Sequence, residues 1–472
     1  MIPAIAFGTS GLRGPAEGFT PARIKAYTEA FLLGVAGDGP QRLFVGSDLR
    51  QSSPEIVSQV ISTAQGCGWT VAYAGAVPTP ALASFAMAEN APAIMVTGSH
   101  IPETHNGLKF YRRDGELRKE DEAPMWAHAE RLLEAAAVEA REGILSETDP
   151  AIARAYVARY LDTFGVDALA GLRVGVDQHS AVGRDLLVEI LERLGANCFP
   201  YNRAETFVAV DTEALDVAQL ELAREQIQTN ELDAVVSTDG DGDRPLVLDE
   251  TGTQINGDVL GALTARHLGI RTVVTPLSST SAIEQSGWFD KVVRTRIGSP
   301  YVVAAMDDAA PAPVAGFEAN GGFLLGSDIV LPGGRLTRLP TRDAVLPILA
   351  VLQASARDLR PLSSFVSELP PRVMKADRVR EVSAEEADLF LEAMQNDAAA
   401  QEEFDARLVG PVGIDTMDGV RMTLTDGTIV HFRQSGNAPE MRCYVETGSI
   451  DETEKLLSDI IRSLKAYFAD KG

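Results

Sequence analysis

Short apolar runs rich in β-branched residues alternate with longer stretches whose apolar residues recur every three or four positions. RLFVGSD (42–48), TVAYAG (70–75) and AIMVTGS (93–99) read as strands, and PEIVSQVISTAQG (54–66) as a helix closed by glycine. The alternation recurs. LRVGVD (172–177) precedes helical GRDLLVEILERLG, and LDAVVSTD (232–239) follows helical VAQLELAREQIQ. RTVVTP (271–276) and APVAGFE (312–318) repeat it once more. Strands alternating with helices predict three related α/β domains with parallel or mixed sheets.

The last hundred or so residues change period. GVRMTLTDGTIVHFRQSG (419–436) alternates apolar and polar residues about a TDGT turn, MRCYVE (441–446) reads as a further strand, and DETEKLLSDIIRSLKAYF as an amphipathic helix. A smaller α+β domain is expected there. The polar or proline-bearing stretches SETDP, DETGT and SELPPR suggest domains at 1–148, 149–252, 253–370 and 371–472. At about 150 residues per domain, a chain of 472 residues agrees with that number.

Charge narrows the partners. A net charge of −25 argues against nucleic acid and anionic membrane surfaces, which need a basic face. A phosphorylated small molecule is still admitted, because a few arginines gathered in one cleft outweigh a distant acidic surface. The three cysteines, Cys67, Cys198 and Cys443, show neither metal spacing nor a disulfide framework, which fits a reducing compartment. The first residues lack a basic segment followed by a long apolar one, so no signal peptide and a cytoplasmic location are expected.

Polar chemistry gathers in five segments. In STDGDGDRP, Asp239, Asp241 and Asp243 alternate with glycines after an apolar strand. Such carboxylates repel unless a cation lies between them, and hard oxygen ligands suit Mg²⁺ completed by a phosphate oxygen. A calcium loop would need glycine where Arg244 stands, and a solvated acidic turn is the plain alternative. VTGSHIPETHNGLKFY (96–111) places Ser99, His100 and Lys109 on what reads as one loop after a strand. Ser99 there is open to two readings, a carrier of a phosphoryl group or a turn cap. FGTSGLRG (7–14) offers Arg13 as a forked hydrogen-bond donor to phosphate. In RQSGNAPEMR, Arg433, Ser435, Gly436 and Asn437 suit an anion-binding nest, or else a hairpin connection. GFEANGG supplies Glu318 and Asn320, a carboxylate and an amide apt for vicinal hydroxyls.

These five segments, in this order and spanning nearly the whole chain, resemble the α-D-phosphohexomutase superfamily, the phosphoglucomutase/phosphomannomutase enzymes. TGSHIPETHNGLK is similar to that family's phosphoserine loop T-A-S-H-N-P followed by N-G-x-K, DGDGDR to its metal loop, and RQSGNAP to its phosphate loop R-P-S-G-T-E-P. The resemblance implies three α/β domains plus the C-terminal α+β domain around a central active-site cleft. It implies that Ser99 carries the phosphate, that Asp239, Asp241 and Asp243 hold Mg²⁺ together with Ser99, that Lys109 is a candidate general base, and that Arg13 assists. His100 follows the serine as in the family, in acid–base work or in shaping the loop. Arg244, Glu318, Asn320, Arg433, Ser435, Gly436 and Asn437 would bind substrate.

The reaction implied interconverts hexose 1-phosphate and hexose 6-phosphate through a bisphosphorylated intermediate, with hexose 1,6-bisphosphate as activator. Mannose is the expected sugar, with glucose a second, in a monomer or homodimer. The sequence departs from the pattern at Asn320 and Gly322, where many bacterial relatives have serine and histidine, and at Ser299, where a histidine is common. F-E-A-N-G is similar to the acetylglucosamine-phosphate branch. A phosphoglucosamine or acetylglucosamine-phosphate mutase is therefore the alternative enzyme. For the histidine missing at Ser299, Lys291, Arg294 and Arg296, which precede IGSP, are the candidate substitute cations. A non-catalytic sugar-phosphate sensor is the rival of another class. An intact serine and aspartate triplet argue against it.

Overall fold

The computed structural model describes residues 3–8, 11–135, 148–309, 313–435 and 439–469. They fall into two compact units, Met1–Val274 with Phe289–Lys291 and Gly298–Val366, and Thr275–Trp288 with Val292–Ile297 and Ser367–Gly472.

The first unit carries three mixed sheets. In the first, Ala93–Val96, Arg42–Ser47 and Thr70–Ala76 run parallel, with helix Ser53–Gly66 in the connection. Those strands and that helix match the expected ones closely. The other edge was not legible: Ala6–Phe7 and Leu12–Pro15 are strands, and His105–Arg112 pairs antiparallel with both Leu12–Pro15 and Ala93–Val96. The polar segment read as one loop is thus a short turn followed by a return strand, and Lys109 sits on that strand. Leu108 and Phe110 point into the hydrophobic core, so the pleat turns Lys109 to the opposite face.

In the second sheet, Ala234–Thr238 runs parallel to Arg173–Asp177, which runs parallel to Asn197–Tyr201; Pro245–Asp249 pairs antiparallel with Ala234–Thr238. The aspartate segment is therefore the tip of a hairpin. In the third sheet, Thr272–Pro276 lies parallel to Val314–Phe317, followed antiparallel by Phe323–Leu325 and Leu339–Asp343. These layered α/β sheets are the expected class.

The second unit contains the expected antiparallel sheet, in the order Val373–Arg380, Glu440–Thr447, Ile429–Gln434, Val420–Thr423, Gly413–Asp415. Helices Ala384–Asn396 and Ile450–Ala469 flank it, and Phe390, Phe432, Met441 and Ile460 form its core. The same unit takes in Thr275–Trp288. Thr280 Oγ1 and the Ser281 N–H donate to Oε1 of the fully buried Glu446 at 2.6 and 2.8 Å.

No helix among the described residues is long and apolar enough to cross a membrane.

Candidate active site

Within the first unit, the ends of several strands bring their polar residues together. The hairpin tip carries the aspartates. Gly242 takes a positive φ of 74°, which lets the tip curl. Gly240 is hydrogen-sided because a Cβ there would lie 2.8 Å from the Ser99 carbonyl oxygen. Asp239 Oδ1 accepts the N–H groups of Asp243 and Arg244, both at 3.1 Å, and its Oδ2 accepts the Ser99 hydroxyl at 2.6 Å. Ser99 is fully buried and left-handed, with φ 53°.

Asp239, Asp241 and Asp243 are all buried, and each offers a carboxylate oxygen within 4.8 Å of the others'. Lys109 Nζ donates to Asp241 at 2.6 Å and to Asp243 at 2.5 Å, and Thr79 donates to Asp241 at 2.6 Å. The charges respond unevenly. Burial first, then the neighbouring charges of Asp241 and Asp243, push Asp239 well above the usual carboxylate range. Burial also presses upward on the other two, but it is outweighed. Lys109 and Thr79 leave Asp241 lowered, and Arg342, Lys109 and Arg244 hold Asp243 far down. Oδ1 of Asp241 and Oδ1 of Asp243 are buried without a hydrogen-bond partner among the described residues. Three converging carboxylates with orphaned oxygens are a donor set that fits a hard divalent cation.

Arg13 and Arg244 add positive charge. Arg13 Nε is buried and unpaired among the described residues; burial, then the charges of Arg244 and Arg342, lowers Arg13 to about 10. Arg244 Nε lies 3.9 Å from Asp243. His100 Nδ1 lies 3.4 Å from the Ser99 hydroxyl. Burial, then Arg244 and Arg13, depresses His100 far below the ordinary histidine range, so its ring is neutral.

Glu318 and Asn320 follow strand Val314–Phe317 and are buried. The Asn320 side-chain oxygen accepts the Gly322 N–H at 2.9 Å, so this amide shapes its own turn. In the second unit, Arg433 lies on Ile429–Gln434 and donates through Nε to Asp418 at 2.8 Å, while Ser435 is buried. Gly436 and Asn437 lie outside the described residues. Of the candidate substitute cations, Arg294 donates to Glu284 at 2.7 Å and to three main-chain carbonyls.

Sequence reasoning missed several residues of this site. Arg50, 1 % exposed, spends all five donors: Nε on Asp48 at 3.0 Å, Nη1 on the carbonyls of Pro102 and His105, Nη2 on those of Ser99 and Ile101. Its guanidinium also stacks 3.9 Å from the Phe207 ring centroid. Asp48 completes the cradle, accepting from Thr97 Oγ1 at 2.7 Å and the Gly98 N–H at 3.2 Å. Thr97 Oγ1 in turn accepts the Ser99 N–H at 2.8 Å. The available signal was Asp-x-Arg immediately after an apolar strand, a place where charge is seldom left idle. Arg342 on Leu339–Asp343 was also missed. It reaches both Asp243 and Glu318. Nothing in LPTRD distinguishes it locally.

A buried hydroxyl against a carboxylate cage, ringed by arginines on α/β sheets, is an arrangement whose chemistry suits phosphate and a divalent cation. The chain belongs to the phosphoglucomutase/phosphomannomutase family: residues 4–135, 154–252 and 256–373 match the family's alpha/beta/alpha domains I, II and III. It is 41 % identical over 462 residues to a phosphomannomutase of Sinorhizobium fredii, covering 96 % of this chain and 97 % of that one. It is 38 % identical over 475 residues to a phosphomannomutase of Salmonella muenchen, covering 98 % and 96 %. In fold it matches the crystal structure of a phosphoglucomutase/phosphomannomutase family protein from Burkholderia thailandensis, with TM-score 0.74, 21 % identity and 97 % of each chain covered.

Proposed function

We propose that this protein interconverts hexose 1-phosphates and hexose 6-phosphates, with mannose as the sugar and glucose as a second substrate. The observation that carries the reading is the Ser99 hydroxyl 2.6 Å from Asp239, at the mouth of the aspartate triplet. Phospho-Ser99 gives up its phosphoryl group to the free hydroxyl of the bound hexose phosphate: the serine oxygen–phosphorus bond breaks and a sugar oxygen–phosphorus bond forms. The hydroxyl proton passes to a base of the cluster: Lys109, which donates to Asp241 and Asp243, is the candidate once it has given up its own proton, whereas burial leaves neutral His100 a weak base suited to shaping the loop. The hexose 1,6-bisphosphate so formed returns its other phosphoryl group to Ser99, and the same bisphosphate serves as activator. Asp239, Asp241 and Asp243, with an oxygen of Ser99, would hold Mg²⁺, which supplies positive charge against the negative charge of the transferring group.

The remaining roles belong to the chain itself. Arg13 and Arg244 offer donors to phosphoryl oxygens. Glu318, with Asn320 shaping its loop, accepts from sugar hydroxyls. Arg433 and Ser435, with Gly436 and Asn437, bind phosphate. The buried setting excludes the water that would hydrolyse the phosphoserine.

A coupled assay of mannose, glucose and glucosamine 1-phosphates with Mg²⁺ and a bisphosphate activator tests the proposal. Turnover of the mannose compound is expected, falling to background under chelation. Preference for the glucosamine compound would favour an aminosugar mutase, and turnover of none would overturn the reading. Intact mass should show a fraction about 80 Da heavy at Ser99. Ser99→Ala should abolish both that fraction and turnover, and persistence of either would remove Ser99 from the mechanism.

A further inference from the structure

Arg342 is a long cation buried to 1 % exposure among carboxylates of two different loops. Its Nε donates to Asp243 Oδ2 at 3.2 Å and its Nη1 to Glu318 Oε2 at 3.4 Å. Nη2 stands 3.0 Å from Asp243 Oδ2 but is turned too far for a hydrogen bond, and no other described residue accepts from it. The guanidinium therefore spans the aspartate tip and the sugar loop with one donor group unspent. Both of its loose bonds to these loops fall on single oxygens, Oδ2 and Oε2, of the two carboxylates.

The space Arg342 occupies exists because residue 322 has no side chain. A Cβ at Gly322 would lie 2.5 Å from Arg342 Cδ, 2.6 Å from Cγ and 3.0 Å from Cβ. No positive φ explains this glycine, since Gly322 is absent from the left-handed set. Room for the arginine does. The pleat fixes the rest. Thr341 and Asp343 face the other way, Thr341 donating to Glu116 at 2.6 Å and Asp343 accepting from Tyr156 at 2.7 Å and from Tyr160. Arg342 is thus held at its root on both sides while its head lies between the loops.

We propose that Arg342 is a positioning residue that sets the Glu318 carboxylate against the aspartate tip, and so governs recognition of the sugar hydroxyls, with Gly322 as the vacancy that admits it. The assignment rests on the mutase reading, in which Glu318 meets the hexose. An arginine is suited to the task because its planar fork fixes two carboxylates at one relative angle, which a lysine cannot do.

The test uses Arg342→Gln, Arg342→Lys and Gly322→Ala in the full chain. Arg342→Gln is expected to raise KM for mannose 1-phosphate about tenfold with kcat changed much less, and to alter the mannose-to-glucose ratio of kcat/KM by about fivefold. Arg342→Lys should recover little of that ratio. Gly322→Ala, which keeps every charge, should shift the ratio in the same way. Combined with Arg342→Ala it should cost nothing beyond Arg342→Ala alone. An unchanged ratio, a fall in melting temperature with KM unmoved, or additive losses in the double variant would each overturn the proposal. If the unaltered protein turned over no hexose phosphate, the mutase reading would fail by itself. Thermal stabilisation by mannose 6-phosphate, retained in Arg342→Gln, would then separately overturn the role of Arg342.

Discussion

Ser99 is presented by main chain that other residues hold in place. Its left-handed φ is uncommon for a residue with a Cβ, and the turn keeps it because Arg50 binds four carbonyls of residues 99–105 while Asp48 takes the donors of Thr97 and Gly98. The loop is therefore only as firm as that guanidinium. Arg50→Lys keeps the charge but leaves buried carbonyls unpaired, each lost bond costing about 1–3 kcal/mol. Chemical denaturation should show a loss of about 2–3 kcal/mol, and kcat should fall at least about tenfold as Ser99 loses its alignment with Asp239. A kcat within twofold of the unaltered protein would show that the turn stands without Arg50. The serine, the aspartates and Lys109 were legible in the sequence because each carries its chemistry in a short motif. Arg50 and Arg342 were not, since their partners lie about fifty and a hundred residues away in sequence, at Ser99 and Asp243. Only the fold supplies that proximity.

Strand Leu339–Asp343 shows how one element serves two purposes. One face carries Arg342 to the carboxylates. The other anchors the strand, with Asp343 bound by Tyr156 and Tyr160, one turn apart on helix Ala151–Phe164. Burial raises Asp343 even though both phenols and the Val345 N–H pull the other way, so the group depends on those donors. Tyr156→Phe and Tyr160→Phe should each cost about 2 kcal/mol in denaturation experiments, and the pair more than the sum, because the second loss strands the carboxylate. Simple additivity would mean that water replaces the phenols. The return strand His105–Arg112 taught the opposite lesson about legibility. Its polar residues masked a buried strand, since Asn106 and Lys109 point to partners that the sequence does not display. The alternating strands of the second unit were plain, because one face packs on helices and period-two patterning survives there.

For the molecule as a whole, acid is the clearest stress. His431 is buried in the second unit; its Nε2–H donates to the Asp418 carbonyl at 2.6 Å, its ring stacks on Tyr444, and burial pushes it down to about 4. Asp418 raises it and Arg421 and Arg433 lower it, both less than burial does. His179 and His267 of the first unit are lowered too, again mainly by burial. A base whose folded pKa lies below its unfolded value favours the native state only while neutral. Stability from His431 is therefore full above about pH 6.5, falls as pH drops towards 4, and is constant below. By pH 5 the loss amounts to about 2 kcal/mol. Denaturation midpoints should fall between pH 7 and pH 5, and His431→Gln should remove about that much of the decline. An unchanged slope in the variant would exonerate this histidine. The second unit has one more consequence, which concerns synthesis. Thr280 and Ser281, which neutralise the donor demand of buried Glu446, leave the ribosome more than a hundred and fifty residues before it does. Closure of this unit must wait for strand Glu440–Thr447 to emerge, and a fragment cut at residue 370 would present Glu446 without its two donors.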